Sequence, residues 1–292
     1  MIAFIMSVYN KSLVEQFSAS FNSIKAQEDV AIDFLLNIDG PIHPSLESFI
    51  SGLTPAGAIR NIKIYRSDKN RGLAASMNRL ILEEFANYEY FLRQDCDDYS
   101  ALNRCKLQIK FLEANPSVDS VGTYFQSFNF NKFIEKKTEI TTYPIEHLSI
   151  SRQFAFQAPV AHATICFRKS FFIKAGIYSS EHSTFAEDSR LWYAGFYTGC
   201  IFANIPEVLY FVSESESQFK RRSGFLQILT IFKVRVRYIV HARLGILFLL
   251  PAIAEFFLRL LLSIILLLPF KETTNQVIMN CKKLKNYALN KK

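Results

Sequence analysis

Short apolar runs alternate with stretches of helical periodicity through the first part of the chain, and this alternation restricts the possible folds. Residues 2–8 form a continuous apolar run, and residues 12–26 then repeat apolar side chains at helical spacing. The pattern returns in further predicted strands and a helix, at residues 33–38, 62–65, 73–85 and 88–92. Because strands that are apolar on both faces need cover on both sides, we predict an α/β fold with a mostly parallel, doubly wound sheet.

The second part of the chain is less regular. Its periodicity and capping residues predict helices at 101–114, 169–175 and 189–197 and strands at 118–125 and 162–167. Residues 126–160 show no pattern that assigns them to a helix or a strand. The five cysteines lack the paired spacing of a zinc site, which is typical of free thiols in a reducing compartment.

Polar residues follow the predicted strands at the points where the strands end. These segments are Tyr9-Asn10, Asp39-Gly40, Asn70-Arg71-Gly72 and Asp95-Cys96-Asp97-Asp98, the last of which we term the acidic cluster. Ligands of open α/β sheets bind at the carboxyl ends of the strands. We therefore expect the four segments to line one crevice.

The acidic cluster indicates a cation. Three carboxylates within four residues repel one another unless a metal ion or several hydrogen-bond donors compensate their charge. Oxygen ligands suit Mg²⁺ or Mn²⁺, which share their remaining coordination positions with water and phosphate oxygens. A phosphorylated substrate follows from this interpretation. The alternative is a solvated acidic turn that leads into a helix capped by Ser100.

Several segments, taken in order, resemble the family 2 glycosyltransferases with the GT-A fold. The resemblance rests on Met6-Ser7-Val8-Tyr9-Asn10, Asp39-Gly40, Asn70-Arg71-Gly72-Leu73-Ala74-Ala75 with Asn78, Phe91-Leu92-Arg93-Gln94 with the acidic cluster, His162-Ala163-Thr164 with Phe167-Arg168-Lys169-Ser170 and Gly176-Ile177-Tyr178, and Glu187-Asp188 with Leu191-Trp192. It extends from residue 4 to about residue 210 and implies a GT-A nucleotide-binding domain over residues 1–215.

The resemblance implies a donor site for a nucleotide sugar. Donor contacts are expected from Tyr9, Asp39, Arg71, Asp95 and Asp97. The Mn²⁺ or Mg²⁺ ion on the donor diphosphate is expected at Asp97, and Asp98 shares that role or takes it over. The chain departs from the family's pattern at two places, so the resemblance does not identify the other residues that contact the donor phosphates. Ile38 stands where the family has a second acid, and residues 211–214 stand where it has an arginine and a histidine.

The resemblance also implies an acceptor side, formed by the second half of the domain. Asp188 is expected to act as the base that takes the proton of the acceptor hydroxyl, in a direct displacement that inverts the anomeric carbon. Glu187 and His162 are expected beside the acceptor. Taken alone, Glu187 and Asp188 are equally typical of acidic residues at the start of a helix, and His162 of a hydrogen-bonded structural histidine.

The C-terminal region, residues 216–292, differs from the preceding domain in charge and hydropathy. Residues 220–292 carry 14 basic and 2 acidic side chains, whereas the net charge of the whole chain is only +8. Residues 244–270 form an apolar stretch in which Glu255 and Arg259 are spaced to pair. Basic residues flank this stretch on both sides, which favours a bent hairpin or an in-plane helix pair on the inner leaflet over a single span. A buried helical subdomain or a dimer interface is the alternative.

These expectations combine into one function. The chain is expected to be an inverting, metal-dependent glycosyltransferase that moves a hexose or N-acetylhexosamine from a UDP sugar to a polyprenyl-diphosphate-linked oligosaccharide of O-antigen or capsule. Its apolar start has no basic stretch before it and no cleavage pattern, so we expect the cytoplasmic face of a bacterial inner membrane, with a peripheral or monotopic attachment. No nucleic-acid partner is expected.

Two alternatives differ in class from this function. A sugar-1-phosphate nucleotidyltransferase also has a doubly wound sheet, but it requires a glycine-rich loop after the first strand, and Ser7-Val8-Tyr9-Asn10-Lys11 has no glycine. The other is a non-catalytic module that binds a membrane surface with a degenerate GT-A fold.

Overall fold

The computed structural model describes residues 1–128, 140–179, 186–213 and 224–267. The first half of the sequence contains β1 (Ile2–Val8), α1 (Val14–Lys25), β2 (Ile32–Asp39), α2 (Pro44–Ser51), β3 (Ile59–Ser67), α3 (Leu73–Glu83) and β4 (Tyr90–Arg93). The second half contains β5 (Tyr99–Ser100), α4 (Arg104–Ala114), β6 (Ser120–Phe128), β7 (Ile140–Thr141), α5 (His147–Phe154), β8 (Cys166–Arg168), α6 (Lys169–Ala175), α7 (Glu187–Tyr197) and β9 (Phe202–Ser213). Two further helices follow, α8 (Phe225–His241) and α9 (Leu249–Leu267).

The sheet combines parallel and antiparallel strands. Its order is β3-β2-β1-β4-β8-β6-β9-β5, and β7 pairs with β6. Strands β1 to β4 pair in parallel, as the alternation predicts, and β6 is parallel to β9. However, β8 lies antiparallel between β4 and β6, and β5 and β7 are also antiparallel to their partners. An apolar run indicates that a strand is buried but not the direction of its neighbours, so the expected parallel pairing holds throughout the first half and, in the second half, for β6 and β9.

Several local assignments differ from the predictions; Ser100, expected to cap the helix that follows it, lies in β5, and α4 begins at Arg104. Helix α2 is not apparent in the apolar pattern because it buries only Leu46 and Ile50. The predicted strand at residues 162–167 is wrong at its start, where His162–Thr164 is a 3-10 helix and the strand begins at Cys166. The hydroxyl of Thr164 donates to Ala161 O at 3.0 Å, and the backbone N–H of Thr164 donates to the same oxygen at 3.0 Å. These two bonds close a turn that the apolar composition does not predict.

Two apolar cores fill the two faces of the sheet. One lies beneath α1, α2 and α4 and includes Phe17 and Phe34. The other lies beneath α3, α5, α6 and α7 and includes Phe91, Trp192 and Tyr238. Because Tyr238 belongs to α8, the second core joins the C-terminal helices to the rest of the molecule. The predicted boundary between residues 215 and 216 lies outside the described residues.

Helices α8 and α9 form a pair that we term the C-terminal hairpin. The ring centroids of Phe232 on α8 and Phe256 on α9 lie 4.7 Å apart. Within α9, Arg259 Nε donates to Glu255 Oε1 at 2.9 Å, so the ion pair expected from the spacing is formed. Glu255 is only 9% exposed, and this bond compensates the charge that its burial would leave unpaired.

The outer face of the C-terminal hairpin is apolar and largely uncovered. The segment Ile246–Ile264 is, within the described residues, the one helical stretch that is long and apolar enough to cross a membrane. Its mean hydropathy is 2.1, and only 11% of it is buried, unlike the core helix of a soluble protein. The exposed apolar side chains recur every three or four residues and therefore share one face, at Leu250, Ile253, Phe257, Leu261 and Ile264.

Candidate active site

The polar segments after the parallel strands meet at one edge of the sheet. Strands β1, β2 and β4 are neighbours and parallel, so the residues that follow them emerge at the same edge. The N–H of Tyr9 donates to Ser12 Oγ at 3.1 Å, and that oxygen lies 3.3 Å from Cys96 Sγ. The loop after β1 therefore touches the acidic cluster after β4, as the strand order predicts.

Asp39, the last residue of β2, holds the loop that precedes α3. Its Oδ1 accepts the N–H of Arg71 and its Oδ2 accepts the N–H of Gly72, both at 2.9 Å. Gly40 has a φ of +82°, and a Cβ at this position would lie 2.6 Å from Asn70 N. Only glycine permits this approach of the two loops. The predicted donor residue Asp39 is itself buried, and it fixes the backbone from which the exposed side chain of Arg71 projects.

The three carboxylates of the acidic cluster lie in different surroundings. Asp95 and Asp97 are half-buried, whereas Asp98 is 3% exposed. Asp98 Oδ1 accepts the N–H of Ser213, the last residue of β9, at 2.7 Å. Burial and the negative charges of Asp95 and Asp97 raise the pKa of Asp98 well above its usual value. Asp98 therefore anchors the cluster to β9, while the two more accessible carboxylates remain as the candidate ligands.

The donor set fits a divalent cation that is shared with phosphate. The described part of the chain contains no group of three or more His, Cys, Asp or Glu side chains arranged to hold a metal ion. Mg²⁺ and Mn²⁺, however, commonly bind through one or two carboxylates and take their other ligands from substrate phosphates and water. The raised pKa of Asp98 reflects negative charge concentrated at this position, which a cation would offset.

Arg93 is a site residue that the sequence analysis did not single out. It ends β4, is 3% exposed, and donates from Nη2 to Asp95 Oδ1 at 2.5 Å. Its Nε is buried without a hydrogen-bond partner among the described residues. What marks Arg93 as unusual is that it is a charged residue in a strand whose four positions are all buried. Because charged residues are rarely buried unless paired, a nearby acid was to be expected.

Glu187 and Asp188 lie in the first turn of α7, directly after a residue with an unusual backbone conformation. Asp188 is half-buried, and its Oδ1 accepts the N–H of Ser189 at 2.6 Å. The preceding residue, Ala186, is fully buried and has a φ of +54°, in the left-handed region. This conformation costs an alanine about 1 kcal/mol, and such strain occurs most often at functional sites. The N–H of Ala186 donates to Gln227 Oε1 of α8 at 2.8 Å.

His162 is held by aromatic neighbours in a neutral state. Its Nε2 lies 2.7 Å from the hydroxyl of Tyr178, and its ring packs edge-on against Trp192 at a centroid distance of 5.7 Å. Burial and the positive charge of Arg93 lower the pKa of His162 well below its usual value. Tyr178 is fixed in turn by Asn78 of α3, whose side chain makes two 2.8 Å hydrogen bonds to the backbone N–H and C=O of Tyr178.

Tyr178 links the predicted donor and acceptor sides. Burial raises the pKa of its phenol, Arg93 lowers it, and the charges of Glu187, Asp188 and Asp95 raise it. The acidic cluster and the start of α7 are therefore close enough for their charges to act on one hydroxyl. Of the predicted site residues, His162 lies 2.7 Å from this hydroxyl, whereas Asp95 and Asp188 act on it through their charges.

Comparison with known families gives an independent result. The sequence model described as "Glycosyl transferase family 2" matches residues 3–176. The amylovoran biosynthesis glycosyltransferase AmsE of Erwinia amylovora is 27% identical over 225 residues, which cover 77% of this chain and 80% of the relative. The UDP-Gal:alpha-D-GlcNAc-diphosphoundecaprenol beta-1,3-galactosyltransferase of Escherichia coli is 26% identical over 265 residues, which cover 88% of this chain and 90% of the relative.

Solved structures show the same fold. S. aureus TarS 1-349 in complex with UDP-GlcNAc superposes with a TM-score of 0.62 at 15% identity and covers 82% of this chain and 66% of that chain. The match spans only 42% of a longer TarS chain. The mannosyltransferase PcManGT from Pyrobaculum calidifontis, in complex with GDP-Man and Mn²⁺, gives a TM-score of 0.60 at 14% identity, with coverages of 97% and 79%. At these identities the likeness is one of fold.

Proposed function

The chain belongs to glycosyl transferase family 2, and from this membership we propose that it transfers a hexose or N-acetylhexosamine from a UDP sugar to a polyprenyl-diphosphate-linked acceptor. The observation that carries the proposal is the acidic cluster at the carboxyl end of β4, where Arg93 binds Asp95 at 2.5 Å and the N–H of Ser213 binds Asp98 at 2.7 Å. Two relatives support the substrate class, since one is named for amylovoran biosynthesis and the other for a diphosphoundecaprenol-linked GlcNAc acceptor. The product would be a repeat unit of a bacterial surface polysaccharide.

The donor binds, in this proposal, at the carboxyl edge of β1, β2 and β4. Tyr9 and the loop fixed by Asp39 contact the nucleoside, and the exposed Arg71 contacts a phosphate or carbonyl oxygen. Arg93 orients Asp95 through the 2.5 Å bond to its carboxylate. Because the guanidinium of Arg93 is buried, its position is set by the strand, and Asp95 is presented to the donor in a defined direction.

Asp97, with help from Asp95, would hold Mn²⁺ or Mg²⁺. The buried Asp98 has one oxygen bound by the N–H of Ser213, so it is less accessible to an ion than the half-buried Asp97. A bound divalent ion stabilises the negative charge that develops on the departing nucleoside diphosphate. The chain itself contributes the carboxylates and excludes water from the cluster by packing Asp98 against β9.

Asp188 is proposed to be the base that takes the proton of the acceptor hydroxyl. A half-buried carboxylate at the start of a helix is held in place by the helix backbone, and here Ser189 N–H supplies that restraint. The proton moves from the attacking hydroxyl to the carboxylate while the C–O bond to the donor diphosphate breaks. Attack on the side opposite to the leaving group inverts the anomeric carbon.

The C-terminal hairpin is proposed to lie on the cytoplasmic face of the inner membrane. Its uncovered apolar face, which includes Leu250, Phe257 and Leu261, offers a surface for acyl chains. In the described part of the same region, Lys233, Arg237 and Arg243 are exposed, and their positive charges favour anionic headgroups. The basic residues at 271–292 lie outside the described part of the chain.

The proposed function is tested with the purified full-length protein in detergent. A panel of UDP and GDP sugars is combined with a synthetic GlcNAc-diphosphate-lipid acceptor, in Mn²⁺ or in EDTA, and product is measured by mass spectrometry. Transfer from one UDP sugar, abolished by EDTA and lowered about a hundredfold or more by Asp97→Asn or Asp188→Asn, is expected. Asp29→Asn is the control, because Asp29 is 71% exposed and forms an ion pair with Lys106 on the surface.

Three outcomes would contradict parts of this proposal. Absence of turnover with every sugar would overturn the donor and acceptor class. Turnover that is unaffected by both EDTA and Asp97→Asn would overturn metal dependence. Full activity of Asp188→Asn would remove Asp188 from the role of base and leave the donor assignment intact.

A further inference from the structure

A side chain of the C-terminal hairpin reaches into the acceptor side of the active site. Gln227, in the first turn of α8, accepts the N–H of Ala186 with its Oε1 at 2.8 Å. The two residues are 41 positions apart in the sequence. Ala186 is followed directly by Glu187 and Asp188, so this bond lies two residues from the proposed base.

The bond supports a backbone conformation that alanine does not favour. With a φ of +54°, the Cβ of Ala186 is crowded by the neighbouring carbonyl oxygen, and the conformation persists only where surrounding contacts fix it. The N–H groups at the start of a helix have no acceptor within that helix. Ala186 is fully buried, so water does not supply the missing acceptor, and Gln227 does so instead.

Helix α8 is fixed firmly enough to impose this geometry. Its residues Ile228 and Ile239 are 2% and 3% exposed. The ring of Tyr238 packs against Phe196 of α7 at a centroid distance of 5.3 Å and against Phe154 of α5 at 4.9 Å. Helix α8 therefore contacts the segment before α7 through Gln227 and the far end of α7 through Tyr238.

A buried charge lies along the same contact. Arg235 of α8 is 3% exposed, and its Nε has no hydrogen-bond partner among the described residues. Burial lowers its pKa to about 9, with a further lowering by Arg259, while the charges of Glu255 and Asp188 raise it. The guanidinium thus stays charged at neutral pH, and the proposed base and the ion pair of α9 both lie within reach of its field.

We infer that Gln227 is a positioning residue for Asp188, and that α8 is consequently part of the acceptor side of the active site as well as of the membrane attachment. The inference rests on the proposed role of Asp188 as base. The donor side is restrained by hydrogen bonds from other elements: Asp39 binds the loop before α3, and Asp98 binds Ser213 of β9. Loss of the Gln227 bond is therefore expected to slow the transfer step without weakening donor binding.

The test uses the full-length protein and two substitutions that separate shape from hydrogen bonding. Gln227→Met keeps the length of the side chain but removes the accepting oxygen, and Gln227→Glu keeps an oxygen at the same reach. The matched control is Thr230→Val on the same helix, which removes one oxygen at nearly constant volume. For each variant, kcat and KM for the acceptor are measured, together with donor affinity by calorimetry in Mn²⁺ and the melting temperature.

We expect Gln227→Met to lower kcat by about ten- to a hundredfold, as misplacement of a reacting group does, with donor Kd unchanged. Gln227→Glu recovers most of the lost kcat, and Thr230→Val behaves as wild type. An unchanged kcat in Gln227→Met, or an equal loss in Gln227→Glu, overturns the inference. So does a fall in donor affinity parallel to the fall in kcat, because a general structural defect would produce it.

A double variant separates failure of this inference from failure of the proposed function. If Gln227 acts through Asp188, Gln227→Met has little further effect on the residual rate of Asp188→Asn, so the two losses are not additive. Additive losses overturn the positioning role even when Asp188 is the base. Full activity of Asp188→Asn alone identifies the proposed base as the assignment that fails. If Gln227→Met does not fold, Gln227→Asn, whose amide is one methylene too short to reach Ala186, replaces it in the same cycle.

Discussion

His162 couples the stability of the site to pH. Its pKa in the folded protein lies well below the ordinary histidine value of 6.5, because burial and Arg93 both disfavour the charged ring. The unfolded chain therefore binds this proton more readily below pH 6.5, and the stability that neutral His162 contributes is lost as pH falls from 6.5 toward the lowered pKa. Above pH 6.5 that contribution is fully present.

We predict that urea unfolding of the wild type shows a steeper loss of stability between pH 7 and pH 5 than that of His162→Gln. Glutamine retains a polar atom for the hydroxyl of Tyr178 but does not titrate. His147, whose pKa is also lowered by burial, is present in both proteins and cancels in the comparison. Equal slopes for the two proteins would show that His162 does not gain a proton on unfolding.

The order of motifs locates the site residues, but not the partners that define their roles. Asp97 and Asp98 are indistinguishable in sequence, because neither residue type nor spacing shows that β9 will bury only the second. Asp39 lies at the predicted strand end, yet its two bonds to the loop before α3 depend on β2 and that loop meeting in space. Gln227 has no motif, and only the packing of α8 brings it to Ala186.

At the scale of elements, α9 presents an apolar face that nothing in the described structure covers. Phe257 is 61% exposed and Leu261 is 54% exposed, one turn apart on that face. Inserting a large apolar side chain into a lipid interface stabilises binding by about 1.5 to 3 kcal/mol, roughly tenfold or more in affinity for each residue. Substitution of these two side chains therefore tests whether this face attaches to a membrane.

We predict that Phe257→Glu and Leu261→Glu each weaken binding to phosphatidylglycerol vesicles by about tenfold in a flotation assay. Leu82→Glu is the control, since Leu82 is 59% exposed at the end of α3, outside the hairpin. If all three variants float as the wild type does, the apolar face of α9 is not the attachment surface. A dimer interface would then be the remaining interpretation, detectable as a change in oligomeric state.

The elements themselves differ in how well their sequences predict them. β1 and β2 are buried on both faces; β1 has the continuous apolar run that predicts a central parallel strand, whereas β2 also contains Asp33 and Asn37. α2 buries two residues and is signalled mainly by Pro44 at its first position, which only a capping argument detects. The direction of β8 depends on how the chain returns from β6, and the sequence of a three-residue strand contains no such information.

At the scale of the whole molecule, the second core crosses the predicted domain boundary. Tyr238 and Ile239 of α8 are 5% and 3% exposed, and the ring of Tyr238 packs against Phe154 and Phe196 of the transferase body. Removing residues 216–292 would therefore expose apolar side chains of the transferase body as well as remove the proposed membrane attachment. The charge and hydropathy of the C-terminal region indicate a separate attachment segment, but they do not show that its inner face completes the core.

We predict that a chain of residues 1–215 melts about 10 °C below the full-length protein, because several kcal/mol of apolar burial is lost. It also fails to glycosylate an acceptor with a short, water-soluble lipid tail. The full-length Phe257→Glu variant is the control, because it loses membrane-facing surface and keeps the core. A stable, active 1–215 chain would show that the C-terminal hairpin serves attachment alone.

The bond between Asp98 and Ser213 has a consequence for synthesis of the chain on the ribosome. Strands β1 to β4 emerge first and pair with one another, so the acidic cluster is in place while β9 is still untranslated. Before Ser213 is synthesised, Asp98 lacks its backbone hydrogen-bond donor, and the three carboxylates lie next to one another in a sheet that does not yet contain β9. A nascent chain is therefore expected to become able to bind its donor only in the last third of translation, and stalled chains shorter than this should not retain nucleotide.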